Sequence, residues 1–218
     1  MNSGSETAKH PMTTSPSLTR RILLAAPLLA FAALPGRAFA KSAADAAAAF
    51  VAKAGNDLTA VVNGPGSTAE KAQALQTIID RSVDVAAIGR FCLGRFWRTA
   101  TPEQQKAYVD LFHRVLVLNI TGKVGDYQGV TIVVGKATQR DDGIAVTSMV
   151  NRPNAAPAKV DWLVSTESGS PRIIDVIAEG TSLRLTQRND YASYMSRNGN
   201  SVAALIEALK KQAAGAAG

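Results

Sequence analysis

The chain has 218 residues, 46% apolar and 19% charged, the proportions of a globular protein rather than a disordered or fibrous one. Lys and Arg number 24 against 17 Asp and Glu, a net charge of +7, of which residues 41–218 keep +4. That mild excess suits solubility and attraction to anionic surfaces but makes no nucleic-acid stripe, and the single Cys92 excludes an internal disulfide or a multi-cysteine metal site. At the N-terminus Arg20-Arg21 precede the run ILLAAPLLAFAALP, which has no polar face, is short for a membrane span and leads to Ala38-Phe39-Ala40. A positive start, an apolar middle and a small-x-small end predict a signal peptide over residues 1–40, with cleavage near Ala40 and a chain that works outside the cytoplasm. Met12 is a second candidate start, and TRRILL fits the twin-arginine route as well as an ordinary secretory one.

Helical spacing follows. Ala47, Phe50, Val51, Ala54, Leu58, Val61 and Val62 predict a first helix that ends at Asn63-Gly64-Pro65. A second starts at Ser67 and carries Leu75, Ile78 and Ile79; a third carries Val85, Ile88, Phe91 and Cys92 up to Gly94. Thr101-Pro102-Glu103-Gln104 is a capping box with proline at the first helical position, opening a helix that places Tyr108, Leu111, Phe112, Val115 and Leu116 on one face.

The period then drops to two. Val130, Ile132 and Val134 alternate with their neighbours; Ile144, Val146 and Val150 follow the turn Asp141-Asp142-Gly143. Val160, Trp162 and Val164 make a third strand, and Ile173, Asp175 and Ile177 a fourth after Ser168-Gly169-Ser170. With no crossover helix between them, these strands predict an antiparallel meander. Two helices close the chain, one around Tyr191–Met195 and one capped by Asn200 with Val202, Leu205, Ile206 and Leu209. The expected class is α+β: N-terminal helices, a four-stranded antiparallel curved sheet, C-terminal helices, one domain over 41–212 and a flexible tail at 213–218.

Catalytic chemistry is sparse. His10 lies upstream of the signal and His113 inside a helix, so no histidine pair is placed to hold a metal. Cys92, between Phe91 and Leu93, reads as a small buried hydrophobe rather than a nucleophile. Gly129–Lys136 has five residues between its glycines, and Ala137 where a phosphate loop needs Ser or Thr. Asn119-Ile120-Thr121 matches a glycosylation acceptor but falls within a helix. No carboxylates are paired at a spacing that argues for a hydrolase. The expectation is a non-enzyme with neither metal nor cofactor.

Two stretches carry a resemblance. One is Phe91-Cys92-Leu93-Gly94-Arg95-Phe96-Trp97-Arg98-Thr99-Ala100-Thr101-Pro102-Glu103-Gln104, followed by Tyr108 and Phe112. The other is Ile174-Asp175-Val176-Ile177-Ala178-Glu179-Gly180-Thr181-Ser182-Leu183, followed by Arg188. In this order, about eighty residues apart and behind an export signal, they resemble the MlaC family, also called the toluene-tolerance or ABC-transporter auxiliary family. The likeness runs from about Phe50 to Leu209. The chain departs from the family's pattern at Ile120, where a tyrosine is usual, at Pro171-Arg172, and at Tyr191, where phenylalanine is common.

The resemblance implies a monomeric periplasmic carrier with a diacyl phospholipid in an apolar pocket between sheet and helices. It implies shuttling between an inner-membrane ABC transporter complex, with an MCE-type substrate-binding component, and an outer-membrane lipoprotein complex. Such a carrier is peripheral to membranes and binds no nucleic acid. A hopanoid-associated branch, a lipid-free transporter adaptor and a small exported enzyme of cone-shaped α+β fold are the alternatives. The expected pocket residues are Phe112, Val115 and Leu116 with Ile132, Val134, Val146, Trp162, Val164 and Ile177. Gly94, Trp97, Arg98, Asp175, Glu179, Gly180, Ser182 and Arg188 are expected to hold structure. Asp175, a carboxylate among apolar residues, needs an ion pair or backbone hydrogen bonds, with Arg188 a candidate partner. Arg95, Arg98, Lys123 and Lys136 are candidates for the mouth.

Overall fold

The computed structural model describes residues 36–215; most of the expected signal segment and residues 216–218 of the expected tail lie outside them. Helix α1 (Gly36–Asn63) packs on α2 (Thr68–Ser82) through Val62, Leu75 and Ile78. The start of α2 is closed by a capping box, in which the Ser67 N–H donates to Glu70 Oε2 at 2.8 Å and the Glu70 N–H to Ser67 Oγ at 3.3 Å. Helix α3 (Val85–Leu93) is capped by Asp84, which accepts from the Ala87 N–H at 2.9 Å, and passes into a 3-10 turn, Gly94–Arg98. Helix α4 (Pro102–Thr121) opens on the expected Thr101–Gln104 capping box.

The sheet is a meander of five antiparallel strands in chain order: β1 (Thr131–Arg140), β2 (Gly143–Arg152), β3 (Ala155–Ser165), β4 (Arg172–Ala178) and β5 (Thr181–Ser182). The sequence predicts four; the fifth is two residues folded back after Glu179-Gly180, too short to show alternation. Register shifts between Val134 and Ala137 of β1, and at Ile174 of β4, where Leu163 pairs Asp175 but Val164 pairs Ile173, bend the strands.

Helix α5 (Leu183–Arg197) starts directly from β5, well before the expected Tyr191, and α6 (Val202–Gly215) ends the described chain. Ser201, not Asn200, caps α6: its Oγ accepts from the Ala204 N–H at 3.2 Å, while Asn200 has φ +57° and makes the turn. Helix α6 also runs through part of the expected flexible tail, because Ala213 is buried against the helical core.

Three apolar clusters result. One joins α3, the 3-10 turn, α4, α5 and α6 around Tyr108, Phe112 and Met195. A second lays Ala47 and Val51 of α1 on Ile144, Val146 and Val164 of the sheet. The third joins α1 and α2 to Val124 and Val130. No helix among the described residues is long and apolar enough to cross a membrane.

Candidate functional site

Between the helical cluster and β4 lies a cavity of about 330 Å³. Helix α4 supplies Phe112, Val115, Leu116 and Ile120, one side of an amphipathic helix at i, i+3, i+4 and i+8. Helix α3 adds Ile88 and Cys92, and β4 adds Ile173 and Val176. Tyr191 of α5 closes it. Tyr191 meets Tyr108 and Phe112 edge-on, with ring centroids 6.2 and 6.3 Å apart, which fixes this wall. Leu183 is 51% exposed, and the exposed Asn119, Thr186 and Asp190 stand beside it, so the cavity opens next to the first turn of α5.

Of the residues expected to line a lipid pocket, Phe112, Val115 and Leu116 line this cavity. Ile132, Val134, Val146, Trp162, Val164 and Ile177 do not line this cavity. Trp162 and Val164 pair with Val176 and Ile173, so they share the face that bounds it, but α1 covers the β1–β3 part of that face. Ile177 pairs with Asp161 and Ser182 and points the other way; one residue of register separates it from Val176. Ile88, Ile120, Ile173, Val176, Leu183 and Tyr191 were missed as lining residues. The signal was present for two of them, since Ile120 and Tyr191 are positions where the chain departs from the family's pattern.

Asp175 is 4% exposed and lines the cavity's edge. Its Oδ1 accepts from the backbone N–H of Val176 at 2.8 Å and of Arg184 at 3.1 Å. Its Oδ2 accepts from the Ser182 hydroxyl at 2.6 Å and lies 3.4 Å from Arg184 Nε. The ion partner is therefore Arg184, not Arg188. Ser182 in turn caps α5, accepting from the Leu185 N–H at 3.1 Å. The Asp-Val-x-x-Glu-Gly-x-Ser-Leu element is thus a device that ties the start of α5 to β4. Glu179, at φ +49°, anchors its turn by exchanging hydrogen bonds with Lys159, while Gly180 supplies φ +82°.

Burial first, then the charge of Asp175, pushes the Cys92 thiol up to about 12 against the opposing pull of Arg184 and Arg188, so it is a neutral thiol at pH 7. Burial also pushes the Tyr191 and Tyr108 hydroxyls upward. His113 bonds Asp80 through Nε2 at 2.6 Å outside this cavity. No cluster of His, Cys, Asp and Glu among the described residues is disposed to hold a metal. Gly94, Trp97, Arg98 and Arg188 come together instead at a second, more open cleft on the outer side of α3 and α5; of the residues expected at the cavity mouth, Arg95 and Arg98 line this cleft and Lys123 and Lys136 line neither space.

The sequence profile described as "MlaC protein" matches residues 53–211. The chain belongs to the MlaC family. The MlaC match takes in every element from α2 to α5, and so every residue that lines the cavity. The toluene tolerance protein ttg2D of Pseudomonas putida is 30% identical over 139 residues, 62% of this chain and 63% of that protein's length. A phospholipid-binding protein of Ralstonia solanacearum, solved in complex with a phospholipid, superposes with a TM-score of 0.70 at 27% identity, over 79% of this chain and 99% of that one.

Proposed function

We propose that this MlaC-family chain is a periplasmic carrier that holds phospholipid acyl chains without covalent chemistry and shuttles them between inner- and outer-membrane complexes of an ABC-type transport system. The observation that carries the reading is the cavity itself: apolar walls from α3, α4, α5 and β4, with a mouth at the exposed Leu183. The Ralstonia protein, of the same fold, was solved with a phospholipid. The cavity chemistry points the same way. Every buried side-chain nitrogen and oxygen among the described residues has a partner. The Cys92 thiol stays protonated, so the walls offer a dry surface rather than a nucleophile.

A carrier is what the energetics call for. Moving roughly 30 methylenes from a bilayer into water costs on the order of 25 kcal/mol at ~0.8 kcal/mol each. An apolar cavity that replaces the bilayer's contacts removes most of that cost and needs no catalytic residue. Direction then comes from partners, because equal affinity at both ends moves nothing uphill.

Native mass spectrometry tests this on the mature chain, exported to a bacterial periplasm and purified without detergent. The expected result is an added diacyl phospholipid mass, released on denaturation. A hopanoid mass would keep the carrier and change its cargo. An apo mass in every preparation, with no uptake from liposomes, would overturn the reading in favour of an adaptor.

A further inference from the structure

The second cleft, about 960 Å³, gathers five arginines that lipid holding does not explain: Arg90 of α3, Arg95 and Arg98 of the 3-10 turn, and Arg184 and Arg188 of α5. Four of them lie against aromatic rings. The guanidinium carbons of Arg184 and Arg188 are 4.4 and 5.0 Å from the Phe91 ring, that of Arg90 is 5.7 Å from Trp97, and that of Arg95 is 4.8 Å from Phe96. Gly94 makes room for this: at φ +59°, a Cβ there would stand 3.1 Å from Arg188 Nε. A guanidinium held against a ring loses little freedom on binding and keeps N–H donors for an oxyanion.

Those forks are largely unspent. The arginine ion pairs among the described residues are those of Arg81, Arg140 and Arg184, which leaves Arg90, Arg95, Arg98 and Arg188 without a carboxylate there. Of the acids in the lining, Asp84 caps α3 and Asp142 pairs with Arg184, leaving Glu167. Four of the cations lie on three rings, Phe91 of α3 and Phe96 and Trp97 of the turn, so they are presented at three places rather than one. Several carboxylates on one chain match that spacing better than a single phosphate, and a concave wall does not meet a flat bilayer.

We propose that this cleft is a docking groove for an acidic segment of a partner protein. Docking there reaches the cargo cavity, a step that rests on the carrier reading. Arg184 lines both spaces, and its guanidinium is shared by the exposed Asp142 and the buried Asp175. A partner carboxylate that displaces Asp142 pulls on the same cation that, with Ser182, holds Asp175 and the first turn of α5 at the cavity mouth.

The test titrates the mature protein into a fluorescein-labelled glutamate-rich peptide, with inorganic phosphate and phosphatidylglycerol vesicles as competitors. Arg90→Glu with Arg98→Glu is compared with Lys123→Glu with Lys136→Glu, an equal charge change on exposed lysines away from the cleft. The cleft pair is expected to weaken the peptide about tenfold or more and the lysine pair about twofold or less. Equal weakening by both pairs would overturn the groove. So would phosphate or vesicles binding in a cleft-dependent way where the peptide does not. Bound lipid, read by native mass spectrometry on the same samples, is expected to be unchanged in both variants. Its absence from the unmodified protein would count against the carrier reading and leave the peptide result standing on its own.

Discussion

Asp175 shows what one residue does in this fold. A carboxylate that is 4% exposed survives burial because two backbone N–H groups, a hydroxyl and a guanidinium surround it. Asp175→Asn removes the charge that Arg184 faces across 3.4 Å, and is expected to cost about 2–4 kcal/mol, read as a lower urea midpoint at unchanged slope. Lipid stoichiometry should hold at temperatures where the variant is folded; a stable variant without lipid would assign Asp175 to cargo binding. Cys92 is the complementary case. With its thiol pushed up to about 12, it is expected to ignore Ellman's reagent at pH 8 until the protein unfolds. The sign of its linkage follows. The stability tied to the protonated buried thiol is fully present below the ordinary thiol value of about 8.5, and is lost as pH rises from there toward the folded-state value. A Cys92→Ala variant should lose less stability between pH 9 and pH 11.

At the scale of elements, α5 is the piece on which both spaces turn. It begins at Ser182 because that hydroxyl accepts from the Leu185 N–H while donating to Asp175. Helix spacing then sends Tyr191 to the cavity, and Arg184 with Arg188 to the Phe91 ring. Ser182→Ala breaks both bonds and is expected to cost about 1–3 kcal/mol, checked by chemical denaturation. Gly94→Ala acts from the opposite wall. It forces a side chain into φ +59° and against Arg188, at a cost of about 1–3 kcal/mol, and a melt that matches the wild type would show that the turn relaxes freely. These motif residues were expected to hold structure; at this scale, Gly94 and Arg188 also shape an open surface.

For the whole molecule, the decisive feature is where α1 ends up. Its Ala47 and Val51 cover Ile144, Val146 and Val164, so among the described residues the cavity meets the sheet's helix-facing surface at its β4 side. Filling that cavity from Ile120, a half-buried lining position, is the cleanest test: Ile120→Trp is expected to remove bound lipid from native mass spectra while leaving the melting temperature near that of the wild type. Unchanged lipid stoichiometry would place the cargo elsewhere.

Local patterns carried the elements far. Spacing at 3.6 and at 2, the Thr101 capping box and the turn at Asp141-Asp142-Gly143 are interactions within a few residues, so they are written in order along the chain. The family likeness was legible for the same reason, since its two motifs are contiguous runs that each build one local device. What the sequence by itself determined is therefore the α+β class, the meander and the family. Only the tertiary structure decided that α1 claims most of one sheet face, that Val176 rather than Ile177 faces the cavity, and that Arg184 rather than Arg188 holds Asp175. The physical reason is common to all three: each depends on register or packing between segments tens of residues apart, where a one-residue slip or a neighbouring helix reverses the outcome without changing any local pattern.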